Sequence, residues 1–425
     1  MLSTLLPLVS LLTGIGILLV GSGLFGTLLA LRAGLEGFTD PVIGLVMSAY
    51  FVGFFVGTFF GPALIRRVGH IRAFAMFAAV AAATVILHVL VIHPGVWLVL
   101  RVITGACLVG LYTVIESWLN AQTPNARRGQ VFAAYMAVTL LALALGQALI
   151  TRADPAGFTL FGVASILMSL ALLPVAFTSL AQPQPLTTPR LGLRFLYATS
   201  PAAVAGALAS GLVIGAFWGM GPVFAHRIGL DNAGIAGFMA ATILGGAALQ
   251  WPIGRLSDRV DRRRVLVAVG AAAAVLALAA AAVAPDSIGW LLACMTLFGG
   301  LAFSVYPLSV AHLNDHLQPD AILEGSSGLL LLHGVGAAAG PAGVGLLVGS
   351  FGPRSLLVYY AATLLALTVF VALRMRRTPP IAVEEHAPFA PMVRTSPEAL
   401  VMLAEAAENA AVPPESPGGS RGQST

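Results

Sequence analysis

Long apolar segments alternate with short polar loops along most of the chain. Cutting the sequence at charged residues, prolines and glycine clusters leaves twelve apolar segments. We number them spans 1 to 12, and they cover approximately residues 5–31, 42–65, 71–92, 96–119, 131–151, 157–180, 200–224, 233–254, 265–284, 287–311, 325–348 and 355–374. Because about 20 apolar residues cross a bilayer as a helix, this pattern predicts an all-α polytopic membrane protein with twelve transmembrane helices.

A polar interruption divides the twelve spans into two groups of six. Residues 181–199 contain the run Gln182-Pro-Gln-Pro and two arginines. We expect an N-terminal six-helix bundle over residues 1–180, a cytoplasmic linker over 181–199 and a C-terminal six-helix bundle over 200–376. Residues 377–425 are rich in Pro, Glu, Ala, Gly and Ser, a composition that predicts a disordered tail.

The composition agrees with a membrane location. Of 425 residues, 58% are hydrophobic and 9% are charged, whereas soluble proteins carry about 25% charged residues. A nucleic-acid partner is excluded on this ground despite the net charge of +5. We expect a monomer whose partners are the lipid bilayer and a small solute. The sequence has no nucleotide-binding motif, so we expect no cofactor.

The arginines are distributed unequally between the two sides of the predicted membrane. Arginines are retained in cytoplasmic loops, so the richer side is the inner one. The richer side holds Arg66, Arg67, Arg72, Arg127, Arg128, Arg190, Arg194, Arg255, Arg259, Arg262, Arg263, Arg264, Arg374, Arg376 and Arg377, and the other holds Arg32, Arg152, Arg227 and Arg354. Both termini are therefore predicted to be cytoplasmic, in the inner membrane of a bacterium.

The two groups of spans repeat each other at a sequence offset of 194. The matched pairs are Gly105 and Gly299, Tyr112 and Tyr306, Asn120 and Asn314, and Gly146 and Gly340. Tandem repeats of helices in the same orientation are typical of transporters built from two halves around a midplane site. The repeat therefore predicts two pseudo-symmetric bundles that move as rigid bodies.

Loop motifs connect this architecture to a known family. The loop between spans 8 and 9 reads Gly254-Arg-Leu-Ser-Asp258-Arg259-Val-Asp261-Arg262-Arg263-Arg264 and resembles the signature of the major facilitator superfamily (MFS), with Asp261 where the signature has Gly. The loop between spans 2 and 3 keeps Gly69 but has Arg66 where the family usually has Asp. The run Glu116-Ser-Trp-Leu-Asn120 is similar to the YcaD-type branch. The resemblance covers about residues 5–376 and implies the MFS fold and a transporter that works by alternating access.

Few polar residues lie within the spans, and charge inside a membrane is costly enough to mark functional candidates. The resemblance implies that spans 1, 4, 7 and 10 line a central cavity. The candidates for a substrate or proton path are Arg101, Tyr112, Glu116, Tyr306 and His333. Each has an alternative interpretation: Arg101 could snorkel outward, Glu116 could pair with Arg67 or Arg72, and the rings could serve packing alone.

The loop motifs predict a cytoplasmic gate. The resemblance implies that the span 8–9 loop meets the start of span 5, so that Asp258 would face Arg127 and Arg128. It also implies that the span 2–3 loop meets the start of span 11, so that Arg66 would face Asp320 and Glu324. We hypothesise that these ion pairs close the cytoplasmic side. The gate residues are Arg66, Arg67, Gly69, Gly254, Asp258, Arg259, Arg262, Arg263, Asp320 and Glu324.

The function expected from the sequence is secondary transport of a small solute across the inner membrane. Coupling to protons through His333 or Glu116, or no coupling, both remain open. His312 and His316 have the spacing of metal ligands, but they equally suit the end of a helix, and we expect no metal site. A transporter-like sensor is a second interpretation. A lipid-modifying enzyme is a third and weaker one, because the spans hold too few polar residues to assemble a catalytic site, so we expect no enzymatic activity.

Overall fold

A computed structural model of the protein describes residues 2–124, 127–176, 192–284, 287–318 and 321–377, together with residues 379, 381, 382, 386, 387, 389–392 and 400. Within these ranges the ordered elements are helices, and twelve of them are long and apolar enough to cross a membrane. The spans are Leu8–Leu35, Asp40–Val68, His70–Leu90, Pro94–Gln122, Arg128–Arg152, Thr159–Ala176, Pro201–Arg227, Asn232–Ser257, Arg262–Val283, Ile288–Asn314, Ile322–Phe351 and Ser355–Met375. The predicted all-α fold with twelve spans is confirmed.

Three spans depart from a single regular helix. Span 5 ends in a short 3-10 turn, Leu149–Arg152, and span 6 is divided between Leu170 and Leu172. Span 10 consists of the helices Ile288–Ala302 and Val305–Asn314. A short helix, Leu193–Thr199, precedes span 7, whereas linker residues 181–191 lie outside the part that the structure describes.

Helix starts follow from capping chemistry. Ser200 accepts a hydrogen bond from the backbone N–H of Ala203 and is followed by Pro201, whose missing N–H is harmless at the first helical position. Asp231 caps span 8 by accepting from the N–H of Gly234 at 2.8 Å. These caps satisfy donors that would otherwise lack partners at the beginning of each helix.

The repeated glycines of spans 4 and 10 mark equivalent helix contacts in the two halves. A Cβ atom on Gly105 would overlap the backbone of Tyr50 in span 2, and one on Gly299 would overlap the backbone of Thr242 in span 8. Glycine is needed where two helix backbones approach this closely. The sequence repeat therefore corresponds to the same packing of span 4 on span 2 and of span 10 on span 8.

The glycines of spans 5 and 11 play an equivalent part. A Cβ on Gly146 would lie 2.5 Å from the carbonyl oxygen of Val20 in span 1, and one on Gly340 would overlap the carbonyl of Leu212 in span 7. The residues that follow these two glycines, Gln147 and Pro341, differ in their role. Gln147 accepts a hydrogen bond from Thr27 at 2.6 Å, whereas Pro341, at the repeated position, belongs to the contact between the two halves.

The loop between spans 2 and 3 and the loop between spans 8 and 9 differ in conformation at the glycine position of their shared motif. Gly69 has φ +86°, a conformation that disfavours residues with a side chain. Asp261, at the corresponding position, has φ −47° and its carboxylate accepts from the backbone N–H of Arg263 at 2.9 Å. The substitution is accommodated because Asp261 caps span 9 rather than adopting the glycine conformation.

The two halves meet closely at one end of the molecule. We call the end where span 1 begins and span 12 ends the terminal face, and the opposite end the distal face. Near the distal face, a Cβ on Gly44 of span 2 would overlap the carbonyl of Pro341 and lie 3.0 Å from the Cα of Gly345 in span 11. Arg227 of the second half pairs with Asp40 of the first at 2.9 Å. The halves are therefore closed against each other on the distal side.

Candidate functional site

A central cavity of about 80 Å³ lies between the two halves. Span 2 forms the wall in the first half, and spans 7, 10 and 11 form the wall in the second. The lining residues are Tyr50, Phe51, Phe54, Phe55, Thr58, Ser210, Ile214, Phe303, Tyr306, Leu330, Leu331, His333, Gly334, Ala337 and Met392. The cavity is thus shared by both predicted bundles, as a site between two moving halves requires.

The wall from the first half is aromatic. The ring of Tyr50 lies edge-on to Phe51 with a centroid separation of 5.1 Å, and its centroid is 6.2 Å from that of Phe54. Phe55 makes a similar edge contact with Phe59 at 5.2 Å. Such rings offer large, flat, apolar surfaces whose edges and faces favour other aromatic groups.

The wall from the second half carries polar atoms that lack partners. Ser210 Oγ, Tyr306 Oη and His333 Nδ1 are buried and have no hydrogen-bond partner among the described residues. The rings of Tyr306 and His333 lie 4.7 Å apart. A buried polar group without a partner costs about 1–3 kcal/mol, so three of them at one cavity indicate a place where water or a solute completes their hydrogen bonds.

The break in span 10 lies beside this wall. The helix stops at Ala302 and resumes at Val305, and the Ser304 hydroxyl donates to the Gly300 carbonyl at 2.7 Å. Pro307 follows, and proline has no N–H to continue a helical ladder. Phe303, within the break, and Tyr306, just after it, both line the cavity.

Arg101 is buried inside the first half, with 4% of its surface exposed. Its guanidinium carbon lies 4.7 Å from the ring centroid of Tyr50 and 5.7 Å from that of Phe25. It lines a second, smaller cavity of about 20 Å³ together with Trp218 of the other half. The side chain of Arg101 therefore lies between aromatic rings inside the protein, and its part in a substrate or proton path stays a prediction.

Tyr112 and Glu116 lie deeper in the first half, toward the terminal face. The ring of Tyr112 is buried with its centroid 5.9 Å from that of Phe54, which connects it to the aromatic wall. Glu116 is fully buried, and the Tyr135 hydroxyl donates to its carboxylate at 2.5 Å. Of the five sequence candidates, the structure brings Tyr306 and His333 together in the cavity and places the other three behind its aromatic wall.

The gate motif of the second half forms a buried ion-pair network at the terminal face. Arg262 is 1% exposed, and its Nε donates to Asp315 at 2.8 Å while its Nη2 lies 3.1 Å from Asp258. Burial raises the pKa of the Asp315 carboxyl, against the opposing charge of Arg262. Burial also acts to raise the pKa of Asp261, but hydrogen bonds from Arg263 prevail and hold that pKa below its usual value.

The remaining gate residues lie at the terminal face of both halves. Arg66, Arg67 and Glu324 are exposed there, Arg66 and Arg67 in the last turn of span 2 and Glu324 in the first turn of span 11. Arg259 is exposed in the span 8–9 loop. Asp320 lies outside the described residues, so its predicted pairing with Arg66 stays a prediction.

Three histidines outside the cavity, His88, His312 and His316, pack against neighbouring rings. His316 and His312 make an edge contact at 4.8 Å, and His316 Nδ1 is 2.8 Å from the carbonyl of His312. His88 packs between Phe25 and Trp97. Among the residues described, no group of three or more His, Cys, Asp or Glu side chains could hold a metal ion.

Several site residues are absent from the candidates that the sequence predicts. Ser210 is a lone hydroxyl in the middle of an apolar helix, and that polarity is the signal that marks it. Phe51, Phe54 and Phe55 resemble the other apolar residues of span 2, and no periodicity marks which of them face the cavity. Asp315 follows span 10 and belongs to no motif. Its role depends on Arg262, which is distant in sequence.

Comparisons with known proteins agree with this architecture. A family model described as Major Facilitator Superfamily matches residues 11–321 and 203–406. A relative from Escherichia coli, the "Uncharacterized MFS-type transporter YcaD", is 28% identical over 361 residues, covering 84% of this chain and 92% of its own.

Solved structures share the fold at low sequence identity. The nucleoside transporter NupG superposes with a TM-score of 0.69 at 15% identity, covering 87% of this chain and 99% of its own. The human organic anion transporter MFSD10 gives a TM-score of 0.58 at 14% identity, covering 87% of this chain and 99% of its own. The fucose:proton symporter FucP from E. coli gives 0.53 at 17% identity, with 88% and 99% covered.

Proposed function

This chain belongs to the Major Facilitator Superfamily and is a membrane transporter, and from that premise we propose that the central cavity is its solute-binding site. The two halves expose this cavity alternately to the two sides of the membrane. Binding to one conformation more tightly than the other is what allows a solute to drive such a change. The proposal goes further than the family alone, because it names the cavity and its residues.

The observation that carries the proposal is the set of three buried polar atoms without partners at the interface between the halves. They belong to Ser210, Tyr306 and His333, from spans 7, 10 and 11. All three face the aromatic wall of span 2 across the cavity. A solute lying there contacts both halves at once, which is how its binding energy acts on the rocking equilibrium.

The lining also sets the chemical class of the solute. The described lining residues include no Asp, Glu, Lys or Arg, and a charged solute would lose its hydration without gaining a counter-charge. The rings of Tyr50, Phe51 and Phe54 suit a flat apolar or aromatic body. We therefore propose a small uncharged solute with an aromatic or apolar body and hydrogen-bonding groups on one edge.

The orientation of the protein follows from its arginines. We propose that the terminal face is cytoplasmic, because it carries Arg66, Arg67 and the arginines of the span 8–9 loop. The closed distal face then faces outward, so the conformation described here is inward-facing. The bacterial relative is consistent with an inner membrane location.

One experiment tests transport itself. Metabolites are compared between cells that lack the protein and cells that overproduce it, and solutes that change in opposite directions are then offered to purified protein in liposomes. Flux of such a solute supports the proposal. Binding without flux would instead support the sensor interpretation and would refute a transport role.

Variants of the polar wall test the site. We expect Tyr306→Phe and Ser210→Ala each to raise the KM for the identified solute about 2- to 15-fold, the loss of one ordinary hydrogen bond. We expect His333→Gln, which hydrogen-bonds but cannot exchange a proton at cellular pH, to bind solute and to lose any dependence of flux on a pH gradient. Unchanged KM values in both hydroxyl variants would remove the cavity from consideration as the solute site.

A further inference from the structure

Part of the C-terminal segment is docked on the terminal face of the second half. Its described residues lie far in sequence from the loop that they contact, and neither the transport proposal nor the sequence motifs account for them. We propose that this segment is an intramolecular inhibitor: Ala387 and Phe389 bind where the terminal ends of spans 8, 9 and 10 meet, and Met392 reaches the central cavity and blocks the route to it. This inference goes beyond the proposed function, because it concerns how access to the cavity is controlled.

The docking rests first on backbone hydrogen bonds to two carboxylates. The N–H of Ala387 donates to Asp315 at 2.8 Å, and the N–H of Phe389 donates to Asp258 at 3.2 Å. Both donors therefore reach carboxylates on one surface, at the terminal ends of spans 8 and 10. Hydrogen bonds from N–H groups to carboxylates are stronger than those to neutral acceptors.

Arg262 ties the two carboxylates to the segment. It pairs with Asp315 and Asp258, and its Nη2 also donates to the carbonyl of Ala387. Arg262 and Asp315 are each 1% exposed at their side chains, so this pair is buried with the segment in place. A buried charge is stable only when its hydrogen bonds are satisfied, and the Ala387 backbone supplies one of them.

Side chains add specificity to these backbone contacts. The ring of Phe389 lies directly against Gly254, where any Cβ would overlap it. The first glycine of the loop motif thus provides the flat surface on which the ring packs. Phe389 is half-buried in this position, and the removal of its apolar surface from water favours the docked segment.

Met392 connects the docked segment to the solute site. It is 3% exposed and lines the central cavity together with His333, Tyr306 and Phe54. Because the segment is anchored at the terminal face, Met392 reaches the cavity from that side. It therefore occupies the route by which a solute would enter or leave the conformation described here.

The docked segment also opposes the conformational change. In the hypothesised gate, Asp258 approaches the start of span 5 when the terminal face closes, yet here Asp258 already binds Arg262 and the N–H of Phe389. Closure requires the segment to leave. The docked state is therefore inactive in two ways, since the route to the cavity is blocked and the halves cannot rock.

The test measures access to the cavity and needs no knowledge of the solute. Cys107 and Cys294 are replaced by alanine, Thr58 of the cavity wall is replaced by cysteine, and the protein is placed in lipid nanodiscs so that both faces meet a sulfonated, membrane-impermeant maleimide. We expect the cysteine at position 58 to react about tenfold faster or more in a chain ending at Arg377 than in the full chain. A tenfold preference for the docked over the undocked state produces this difference. Equal rates would overturn the proposal.

Two further variants keep the result interpretable if the shortened chain folds poorly. Phe389→Ala retains the full length and should also accelerate labelling, whereas labelling at the full-chain rate would count against docking. The pair Gly254→Cys and Phe389→Cys should form a disulfide on mild oxidation, and the matched pair Gly129→Cys and Phe389→Cys, on the same face of the other half, should not. Equal yields from the two pairs would show that the segment has no preferred site. All these readouts are independent of flux, so a failure here is distinguishable from a failure of the transport proposal.

Discussion

We expect the Gly44→Leu variant to hold the distal face open and to lose most of its transport activity. Gly44 touches the backbone of Pro341 and Gly345 across the interface between the halves, and a leucine side chain there has no space. Forcing extra carbon atoms into a packed contact costs about 1–3 kcal/mol, which corresponds to a shift of about 5- to 150-fold in a two-state equilibrium. The variant should therefore populate a conformation open on the distal side.

The measurement is the labelling of Ile214→Cys, in the cavity wall, by an impermeant thiol reagent applied from outside the cell. Gly44→Leu should accelerate this labelling about tenfold or more, in keeping with the same packing cost. Gly343→Leu is the matched control, because Gly343 lies on span 11 between Pro341 and Gly345 and nothing surrounds its Cβ position within 4 Å. Labelling of folded Gly44→Leu protein at the parent rate would show that this contact does not close the distal face.

Arg101→Ala should reduce the rate of solute flux about tenfold or more, as expected when a buried cation–π contact worth up to about 2 kcal/mol is lost. The guanidinium packs on Tyr50, and Tyr50 in turn lines the central cavity. Arg101 therefore acts as a positioning residue for the aromatic wall. Arg101→Lys should recover only part of the flux, because lysine lacks the planar group that stacks on a ring.

Flux is normalised to the amount of folded protein in the membrane, so that a loss of insertion is not mistaken for a loss of transport. Arg152→Ala is the control, since Arg152 is an exposed arginine at the distal end of span 5. A positioning role also predicts a raised KM, because the aromatic wall loses its fixed geometry. Full flux with an unchanged KM in Arg101→Ala would leave only snorkelling or packing as the role of this residue.

The sequence predicted the fold well because its signals are local or periodic. Twelve apolar segments identify the spans, and the repeated glycines, such as Gly105 and Gly299, mark the contacts between them. Tyr306 and His333 are two of the five candidates that polarity within apolar helices predicts. Both residues do line the cavity.

The remaining features depend on tertiary contacts that no local pattern contains. Ser210 is a candidate only because its buried hydroxyl has no hydrogen-bond partner in the part of the chain that the structure describes. The network of Arg262 with Asp315 joins residues 53 positions apart. The tail composition gives no indication that Phe389 packs on Gly254. The backbone hydrogen bonds that dock this segment also leave no sequence signature.

We propose that the cavity opens alternately to the terminal and distal faces as the two halves rock against each other. The most direct measurement is a pair of spin-label distances across the halves, one at the distal face between cysteines at Thr39 and Ala233, the other at the terminal face between cysteines at Arg72 and Arg264, all four residues being exposed. We predict that the two distances change in opposite senses when the identified solute is added or when Gly44→Leu is introduced. Distances that stay constant at both faces during measurable flux, or that lengthen together, would contradict the account.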